Sequence, residues 1–326
     1  MQINEEQIIE TKDQIISLKE SLKHSITGME TVIQPLIVGL LAKGHILLEG
    51  MPGLAKTLLA KTLANNIDVK FSRVQFTPDL LPADLTGTNI FNPKTASFQI
   101  KKGPIFTNIL LADEINRAPA KVQSALLQCM EEKQVSIAEE TFDLDFPFLV
   151  IATQNPIDQE GTYPLPEAQL DRFIFKVEVG YPSFDEESAI LKQHGYNNTI
   201  PKKVSKILKP KDLQKISELT NSVYIDPKLE NYIVHLIRNT RPETTTDSDI
   251  KLFVQHGVSP RGSLALLKVS RINALLDGRD FVIPEDIKQY FHEIVRHRLK
   301  LSLEAYTEEI STNTITNKIL SITEVP

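Results

Sequence analysis

The residues with the clearest chemical potential form a short loop, Gly50–Thr57, with the sequence GMPGLAKT. An apolar strand pattern, His45–Glu49, precedes the loop, and a helical pattern, Thr57–Asn65, follows it. Small residues let backbone N–H groups point at phosphates, and the start of a helix adds positive potential. Lys56 is placed to reach the β- and γ-phosphates, and Thr57 to put its hydroxyl on Mg²⁺. The alternative is a Gly-Pro turn beside a chance Lys-Thr pair.

One position of this loop departs from the usual phosphate-binding pattern. Ala55 stands where a glycine normally precedes the lysine, and alanine adopts only negative φ at low cost. We expect Leu58, Leu59 and Leu63 on the buried side of the following helix. The residues expected to bind the nucleotide are Gly50, Pro52, Gly53, Leu54, Ala55, Lys56, Thr57, Leu58 and Asp113.

A second motif, Ile109–Glu114, is an apolar strand that ends in paired carboxylates. Asp113 is placed to hold Mg²⁺, directly or through water, so Thr57 and Asp113 are the expected metal ligands. Glu114 is placed to orient and activate the attacking water. Two acids at a solvated strand end are common by themselves, but they are much less expected downstream of a phosphate loop.

A third motif, Phe148–Pro156, delivers polar amides at the end of another apolar strand. Asn155 is a candidate to position the lytic water or to contact the γ-phosphate. On this segment alone an Asn-Pro turn is the better interpretation. The three motifs share one property, since each follows an apolar strand, and ligands of parallel sheets collect at the carboxyl ends of strands.

The elements that must position these residues predict an α/β fold. Further strands are predicted at Lys70–Phe76 and Phe173–Val179, and a helix at Ala120–Glu132. Strands alternating with helices indicate a parallel sheet covered on both faces. Two segments, 89–106 and 134–146, interrupt the alternation and are predicted as hairpins or loops.

Beyond residue 180 the helical pattern dominates to about residue 301, so we place a domain boundary near 180. The stretch Phe291–Lys300 is predicted as a basic helix with a solvated face that carries His292 and His297. Residues 307–326 are polar with scattered Ile and Leu, and the pattern assigns no element to them.

Composition limits the class of protein. The net charge is −6 and the pI is about 5.7, so the chain lacks an overall basic footprint for nucleic acid. The one cysteine, Cys129, excludes an internal disulfide and is expected to be a buried apolar side chain. The first residues lack a signal-peptide pattern, and no apolar run reaches the roughly 20 residues that span a bilayer. We therefore expect a cytoplasmic protein without a membrane span.

Together the motifs resemble those of the MoxR family of AAA+ ATPases. The resemblance rests on Gly50–Thr57, on ADEINRAP at 112–119 and on ATQNP at 152–156. LPEAQLDRF at 165–173, SPRG at 259–262 and GRDFVIPEDI at 278–287 also agree, so the likeness runs from about 20 to about 300. The alanine before the lysine belongs to this family's version of the loop.

The resemblance implies a P-loop NTPase core over residues 1–180, a parallel sheet sandwiched by helices with hairpin insertions, and a smaller all-helical lid over 181–326. It implies ATP or ADP with Mg²⁺ as cofactors, and a ring, usually a hexamer, with ATP between neighbouring subunits. Lys56, Thr57, Asp113, Glu114 and Asn155 are then expected to work within one subunit.

Three arginines receive expectations from the same resemblance. Arg172 resembles the arginine finger that reaches the γ-phosphate bound by a neighbour, and the alternative is a salt bridge with Asp171 or a nearby acid. Arg261 resembles the lid's sensor arginine, ahead of a helix predicted at Ser263–Leu276. Arg117 is left open between a subunit interface and a pair with a surface acid.

Three functions are compatible with these features. The first is a chaperone-like remodeller that matures or activates a partner protein, including by cofactor or metal insertion, together with a separate von Willebrand factor A domain partner and a protein client. The second is a nucleic-acid motor, which the acidic pI opposes. The third is a nucleotide-gated scaffold that does not need hydrolysis, which the presence of Glu114 opposes.

Overall fold

The computed structural model describes residues 4–94, 96–156, 162–195 and 206–326. The strands are β1 (His45–Gly50), β2 (Phe71–Gln75), β3 (Gly87–Asn92), β4 (Ser97–Lys102), β5 (Ile109–Asp113), β6 (Gln134–Ile137), β7 (Glu140–Asp143), β8 (Leu149–Gln154), β9 (Phe173–Val179), β10 (Val254–His256) and β11 (Lys300–Leu301). A 3₁₀ turn spans Ile115–Arg117.

The helices are α1 (Glu5–Ser25), α2 (Glu30–Leu41), α3 (Lys56–Asn66), α4 (Pro82–Thr86), α5 (Ala120–Glu132), α6 (Glu167–Leu170), α7 (Phe184–Gly195), α8 (Pro210–Ser222), α9 (Pro227–Arg238), α10 (Ser248–Phe253), α11 (Pro260–Leu276), α12 (Pro284–Lys288), α13 (Phe291–Val295), α14 (Leu303–Thr307) and α15 (Thr312–Ile322). The described residues include no helix with the length and the apolarity that crossing a bilayer requires.

The chain forms two compact units, which we call the core unit (Ile16–Phe173 and Val177–Leu213) and the C-terminal unit (residues up to Ile15, Ile174–Lys176 and Gln214–Pro326). The predicted boundary near residue 180 stays a prediction. The α/β fold class with a helical C-terminal region is confirmed.

The central sheet has the strand order β2-β5-β8-β1-β9. The pairs β2–β5, β5–β8 and β8–β1 are parallel, so the carboxyl ends of these strands meet at one edge. Alternate strand residues such as Leu47, Leu110 and Val150 pack in one apolar cluster with α5. Their neighbours Ile46 and Leu111 are also buried, so apolar side chains are covered on both faces.

Helix α5 shows why these elements form where they do. Its apolar residues Val122, Leu126 and Met130 recur at a spacing of four and lie buried on one side. The helix ends at Glu132, and the next residue, Lys133, has a left-handed φ of 54°. Cys129 on this helix is buried as predicted, and burial raises the pKa of its thiol to about 11.

Both interrupting segments contain antiparallel hairpins. β3 pairs with β4, and β6 pairs with β7. The exposed rings of Phe91 and Phe98 meet edge to face on the first hairpin, at 5.3 Å between centroids. The hairpin interpretation is therefore confirmed for both segments.

The C-terminal unit is mainly helical but also holds a short antiparallel ladder, β10–β11, that the sequence pattern did not predict. Arg279 binds the buried carboxylate of Asp286 through two hydrogen bonds of 2.7 Å. This pair explains part of the GRDFVIPEDI motif as a structural clamp between the end of α11 and α12.

Two expectations in this part of the chain were wrong or incomplete. Phe291–Lys300 does not form one solvated helix, because α13 ends at Val295 and His297 is only 6% exposed. The charged residues suggested a surface, whereas packing of Phe291 and Ile294 buries the segment. The unassigned tail contains α15, which Ser311 caps by accepting the N–H of Thr314.

Candidate functional site

The Gly50–Thr57 loop joins the carboxyl end of β1 to the first turn of α3, which begins one residue before the prediction, at Lys56. A Cβ on Gly50 would lie 2.5 Å from the carbonyl oxygen of Val179, so close backbone approach requires glycine there. Gly53 has a φ of +87°, which again favours glycine. The loop therefore depends on both glycines for its path.

Ala55 adopts the left-handed conformation, with a φ of 52° and a ψ of 18°. This conformation costs an L-residue about 1–2 kcal/mol. Ala55 is also the N-cap residue of α3, and alanine has no side-chain acceptor for the first-turn N–H groups. Those N–H groups are suited to an anion at the start of the helix.

Lys56 extends back over the loop. Its Nζ donates a hydrogen bond to the carbonyl oxygen of Gly50 at 2.6 Å. Burial lowers the pKa of Lys56, while the charges of Asp113 and Glu114 act in the opposite direction. The ammonium group is thus hydrogen-bonded to a loop carbonyl and lies within the electrostatic influence of the two acids at the end of β5.

Both carboxylate oxygens of Asp113 accept hydrogen bonds. Thr153 donates its hydroxyl to Oδ1 at 2.6 Å. Arg73 donates to Oδ2 from Nη2 at 2.6 Å and from Nε at 3.2 Å. Asp113 is therefore fixed from both sides, by a side chain of β8 and by one of β2.

Glu114 is held through its backbone and its side chain. Its φ of 57° is left-handed, and its N–H donates to the Thr153 hydroxyl at 2.9 Å. Its Oε2 accepts from Gln75 at 3.0 Å and lies 3.0 Å from Nε of Arg117. Strained backbone of this kind clusters at functional sites. We call Asp113, Glu114 and their partners Arg73, Gln75, Arg117 and Thr153 the carboxylate network.

The loop and the network border one cavity of about 440 Å³. Its lining residues are Gly50, Pro52, Gly53, Leu54, Ala55, Lys56, Thr57, Leu58, Arg73, Gln75, Asp113, Glu114, Thr153, Gln154 and Asn155. Leu58 was expected on the buried side of α3, but its side chain is 41% exposed, so that expectation was wrong. It sits on the first turn, which faces this cavity before the helix reaches the apolar core.

Two predicted arginines lie outside the lining of this cavity. Arg172 follows α6, and its Nε is 2.9 Å from Oε2 of Glu131 on α5. Arg261 lies exposed in the first turn of α11, where Ser259 caps the helix by accepting its N–H at 3.2 Å. Helix α11 begins at Pro260, earlier than predicted, because proline suits the first helical position.

Comparison with known proteins gives matches over most of the chain. Residues 45–175 match the ATPase family associated with various cellular activities (AAA), and residues 246–319 match the AAA lid domain. Chaperone MoxR1 of Mycobacterium tuberculosis is 46% identical over 306 residues, which cover 94% of this chain and 80% of that protein. The uncharacterized protein YeaC of Bacillus subtilis is 44% identical, over 94% of this chain and 93% of its own length.

A crystal structure from Cytophaga hutchinsonii superposes with a TM-score of 0.93 at 44% sequence identity, over 99% of this chain and 98% of that one. Similarity at this identity and coverage, shared with a named MoxR protein, decides the family. The chain belongs to the MoxR family of AAA+ ATPases. Nucleotide binding and a general ATPase activity follow from that membership.

Four side chains of this MoxR-family site were missed by the sequence analysis: Arg73, Gln75, Thr153 and Gln154. The sequence held a weak signal for Arg73 and Gln75. They are two residues apart on β2, so both side chains project from the same face of the strand. The register places Gln75 beside Asp113. Only that pairing shows that polar residues of β2 reach the acids of β5.

Arg117, which had two open interpretations, pairs with Glu114. Of the two interpretations, the pair with an acid is therefore present, and the acid belongs to the candidate site; the subunit-interface interpretation stays a prediction. The guanidinium and the amide of Gln75 bind the same carboxylate oxygen, Oε2. Oε2 of Glu114 therefore already has two side-chain partners.

A buried amide fixes the turn that carries Glu114 and Arg117. Gln123 on α5 is 1% exposed, and its Nε2 donates to the carbonyl oxygens of Ile115, Ala118 and Tyr163, at 3.2, 3.1 and 2.9 Å. Tyr163 in turn donates its N–H to the Asn116 carbonyl at 2.6 Å. The turn after β5 is thus tied to the segment that leads to α6 and Arg172.

The donor set of the MoxR-family cavity fits a magnesium ion. Mg²⁺ prefers oxygen ligands and keeps several waters, so it needs few protein groups. The hydroxyl of Thr57 and the carboxylate of Asp113 are oxygen donors that line the same cavity. Bound there with phosphates, the ion would neutralise charge on the β- and γ-oxygens.

Proposed function

We propose that this protein is a magnesium-dependent ATPase that acts in a hexameric ring and remodels a partner protein. One observation supports the chemistry above all others. A single cavity joins Lys56 and Thr57 of the loop to Asp113, Glu114 and Asn155 at the ends of two neighbouring strands. This arrangement combines phosphate binding, metal binding and activation of water.

Within this proposal each side chain has a distinct task. The loop N–H groups and Lys56 bind the phosphates, while Thr57 and Asp113 hold Mg²⁺. Glu114 takes a proton from the attacking water, and Asn155 orients that water. Arg172 of one subunit contacts the γ-phosphate bound by the next subunit. Arg261 makes the rotation of the lid depend on whether a γ-phosphate is present.

The biological role we propose is that of a chaperone-like remodeller. It rests on the relative named Chaperone MoxR1 and on relatives named Protein MoxR in Methylorubrum extorquens and Paracoccus denitrificans. The client is a protein or complex that needs maturation, including insertion of a cofactor or metal. The proposed ring acts together with a separate partner that carries a von Willebrand factor A domain.

The variant Glu114→Gln tests the hydrolytic assignment. Loss of the general base is expected to lower the steady-state turnover of ATP with Mg²⁺ by about 10²–10⁴-fold while ATP still binds. Glu132→Gln, at the end of α5 and hydrogen-bonded to Gln128, is the matched control and should keep wild-type turnover. Wild-type turnover in Glu114→Gln would contradict the role of Glu114.

Mixed assemblies test the action of Arg172 between subunits. Arg172→Ala and Lys56→Ala variants are each expected to be inactive, whereas mixtures should regain part of the phosphate release. An intact Arg172 then faces an intact loop at some interfaces. Complementation must vary with the mixing ratio, and its absence at every ratio would count against a finger that acts in trans.

A further inference from the structure

The strongest unassigned feature of the site is the pair between Arg73 and Asp113. Arg73 was not part of any sequence motif, yet its guanidinium lines the same cavity as Lys56 and Thr57. Two of its nitrogens bind one oxygen, Oδ2 of Asp113, at 2.6 and 3.2 Å. The proposed metal ligand is therefore already bound to a permanent cation.

The position of Arg73 is set by β2 and by Gln75. Nη2 of Arg73 also donates to Oε1 of Gln75 at 3.0 Å. Gln75 in turn binds Glu114 at 3.0 Å. The guanidinium is thus oriented by its neighbour on the same strand face instead of extending freely into solvent, which lowers the entropy lost on binding Asp113.

This pair has little to contribute to the fold. The side chain of Arg73 is 47% exposed, whereas that of Asp113 is 18% exposed. Exposed ion pairs stabilise proteins only weakly because water screens them. The main effect of a cation at this position is therefore on the affinity of the Asp113 carboxylate for other ligands.

We propose that Arg73 is a positioning residue that competes with Mg²⁺ for Asp113 and so sets the concentration of Mg²⁺ that the site needs. The inference rests on the proposed function, because it takes Asp113 as a metal ligand. Thr153 already donates to Oδ1 at 2.6 Å, and Oδ2 accepts from two nitrogens of Arg73, so a Mg²⁺ ion that binds Oδ2 must displace the guanidinium. Binding of Mg²⁺ with nucleotide requires the guanidinium to leave that oxygen, so the two events are linked.

The test measures binding instead of turnover. The affinity of the full chain for a fluorescent ADP derivative is titrated with Mg²⁺, starting from excess chelator, and the half-effect concentration of Mg²⁺ is read from the curve. In Arg73→Met that concentration should fall by about 1.5- to fivefold, the range expected for loss of a partly exposed ion pair. Arg73→Lys should lie between, because lysine keeps the charge but loses the planar fork.

Arg238→Ala is the matched control, since it removes the same charge from an exposed position on α9 of the C-terminal unit. Its half-effect concentration should equal that of the wild type. Thermal unfolding of each variant establishes that the folded state is intact before metal is titrated.

The outcomes separate this inference from the proposed function. A wild-type chain whose ADP affinity does not change with Mg²⁺ overturns the competition, whereas a wild-type chain that hydrolyses no ATP with Mg²⁺ overturns the proposed function. A wild type that responds to Mg²⁺, with an unchanged or higher half-effect concentration in Arg73→Met, overturns the competition alone. Weaker ADP binding in chelator with an unchanged response to Mg²⁺ identifies Arg73 as a phosphate ligand, which also overturns it.

Discussion

The phosphate loop and the carboxylate network face the same cavity but are built in opposite ways. The loop is contiguous, and its residues from Gly50 to Leu58 owe their positions to one strand, one helix and two glycines. The network draws its side chains from β2, β5, the 3₁₀ turn and β8, and Arg73 and Asp113 are 40 positions apart in the sequence. One region is encoded by local spacing and the other by strand register.

This difference predicts which measured property a substitution in each region should change. Under the proposed function, a substitution in the loop removes a direct phosphate contact, so it should lower nucleotide affinity. A substitution among the network's supporting side chains leaves the loop intact, so it should act on the placement of Asp113 and Glu114. Binding and turnover are therefore the two measurements that separate the regions.

Lys56→Met is expected to give the largest change in affinity. It removes a charge-assisted hydrogen bond to phosphate, worth about 1.5–3 kcal/mol, so ADP should bind about 10–150-fold more weakly. Isothermal titration calorimetry measures this directly. Lys61→Met on the exposed side of α3 serves as the control, and similar affinities for both variants would contradict the assignment of the loop.

His45 tests the scaffold that both regions share, since β1 carries the loop and β8 carries Thr153. Its Nδ1 accepts the N–H of Val150 at 3.0 Å, and its Nε2 therefore donates to the Met130 carbonyl at 3.1 Å. Burial is the main cause that lowers the pKa of His45 from 6.5 to about 4. The native state thus holds a neutral imidazole.

The sign of the resulting pH dependence follows from that shift. Between pH 6.5 and about 4 the unfolded chain binds a proton that the folded chain excludes, so stability falls as the pH falls, by about 3 kcal/mol in total. Urea unfolding across this range measures the loss. His45→Gln offers one acceptor and one donor without titrating, and an equal pH slope in that variant would rule out His45 as the source.

Thr153→Val tests the network without touching the loop. Its hydroxyl joins Asp113 Oδ1 to the Glu114 N–H, and valine leaves both without this partner. We expect the free energy of unfolding to fall by about 1–3 kcal/mol and turnover to fall about tenfold or more, with ADP affinity in chelator unchanged. Thr153→Ser should restore both quantities, and a failure of serine to do so would mean that the methyl group matters instead.

Ala55→Gly should give the smallest change and tests strain in the loop. Glycine relieves the left-handed φ of 52°, but it also raises the entropy of the unfolded chain. These effects nearly offset, so chemical denaturation should show a gain in unfolding free energy of less than about 1 kcal/mol. Ala60→Gly, at a buried helical position of α3, should instead destabilise the protein.

Much of the architecture could be predicted because hydrophobic pattern sets it locally. The apolar runs of β1, β5 and β8 and the periodicity of α5 lie close to their predicted bounds. Polar residues led to a wrong prediction where tertiary packing buries them. His297, for example, was expected on a solvated face but is buried. The exposed Leu58 is a related case. Helical spacing predicts which side of α3 is apolar, but it does not predict that the first turn lines the cavity while later turns pack in the core.

The sequence by itself determined the loop, the order of its strands and helices, and the acids at the end of β5, since each depends on residues close together in the chain. The tertiary structure alone decided which groups hold those acids. Arg73 and Gln75 reach Asp113 and Glu114 only because β2 pairs with β5 in this register, and Thr153 only because β8 lies on the other side. Strand pairing joins residues that are far apart in the sequence, and the register decides which of them lie side by side. The residue types of one strand do not by themselves identify the strand that pairs with it.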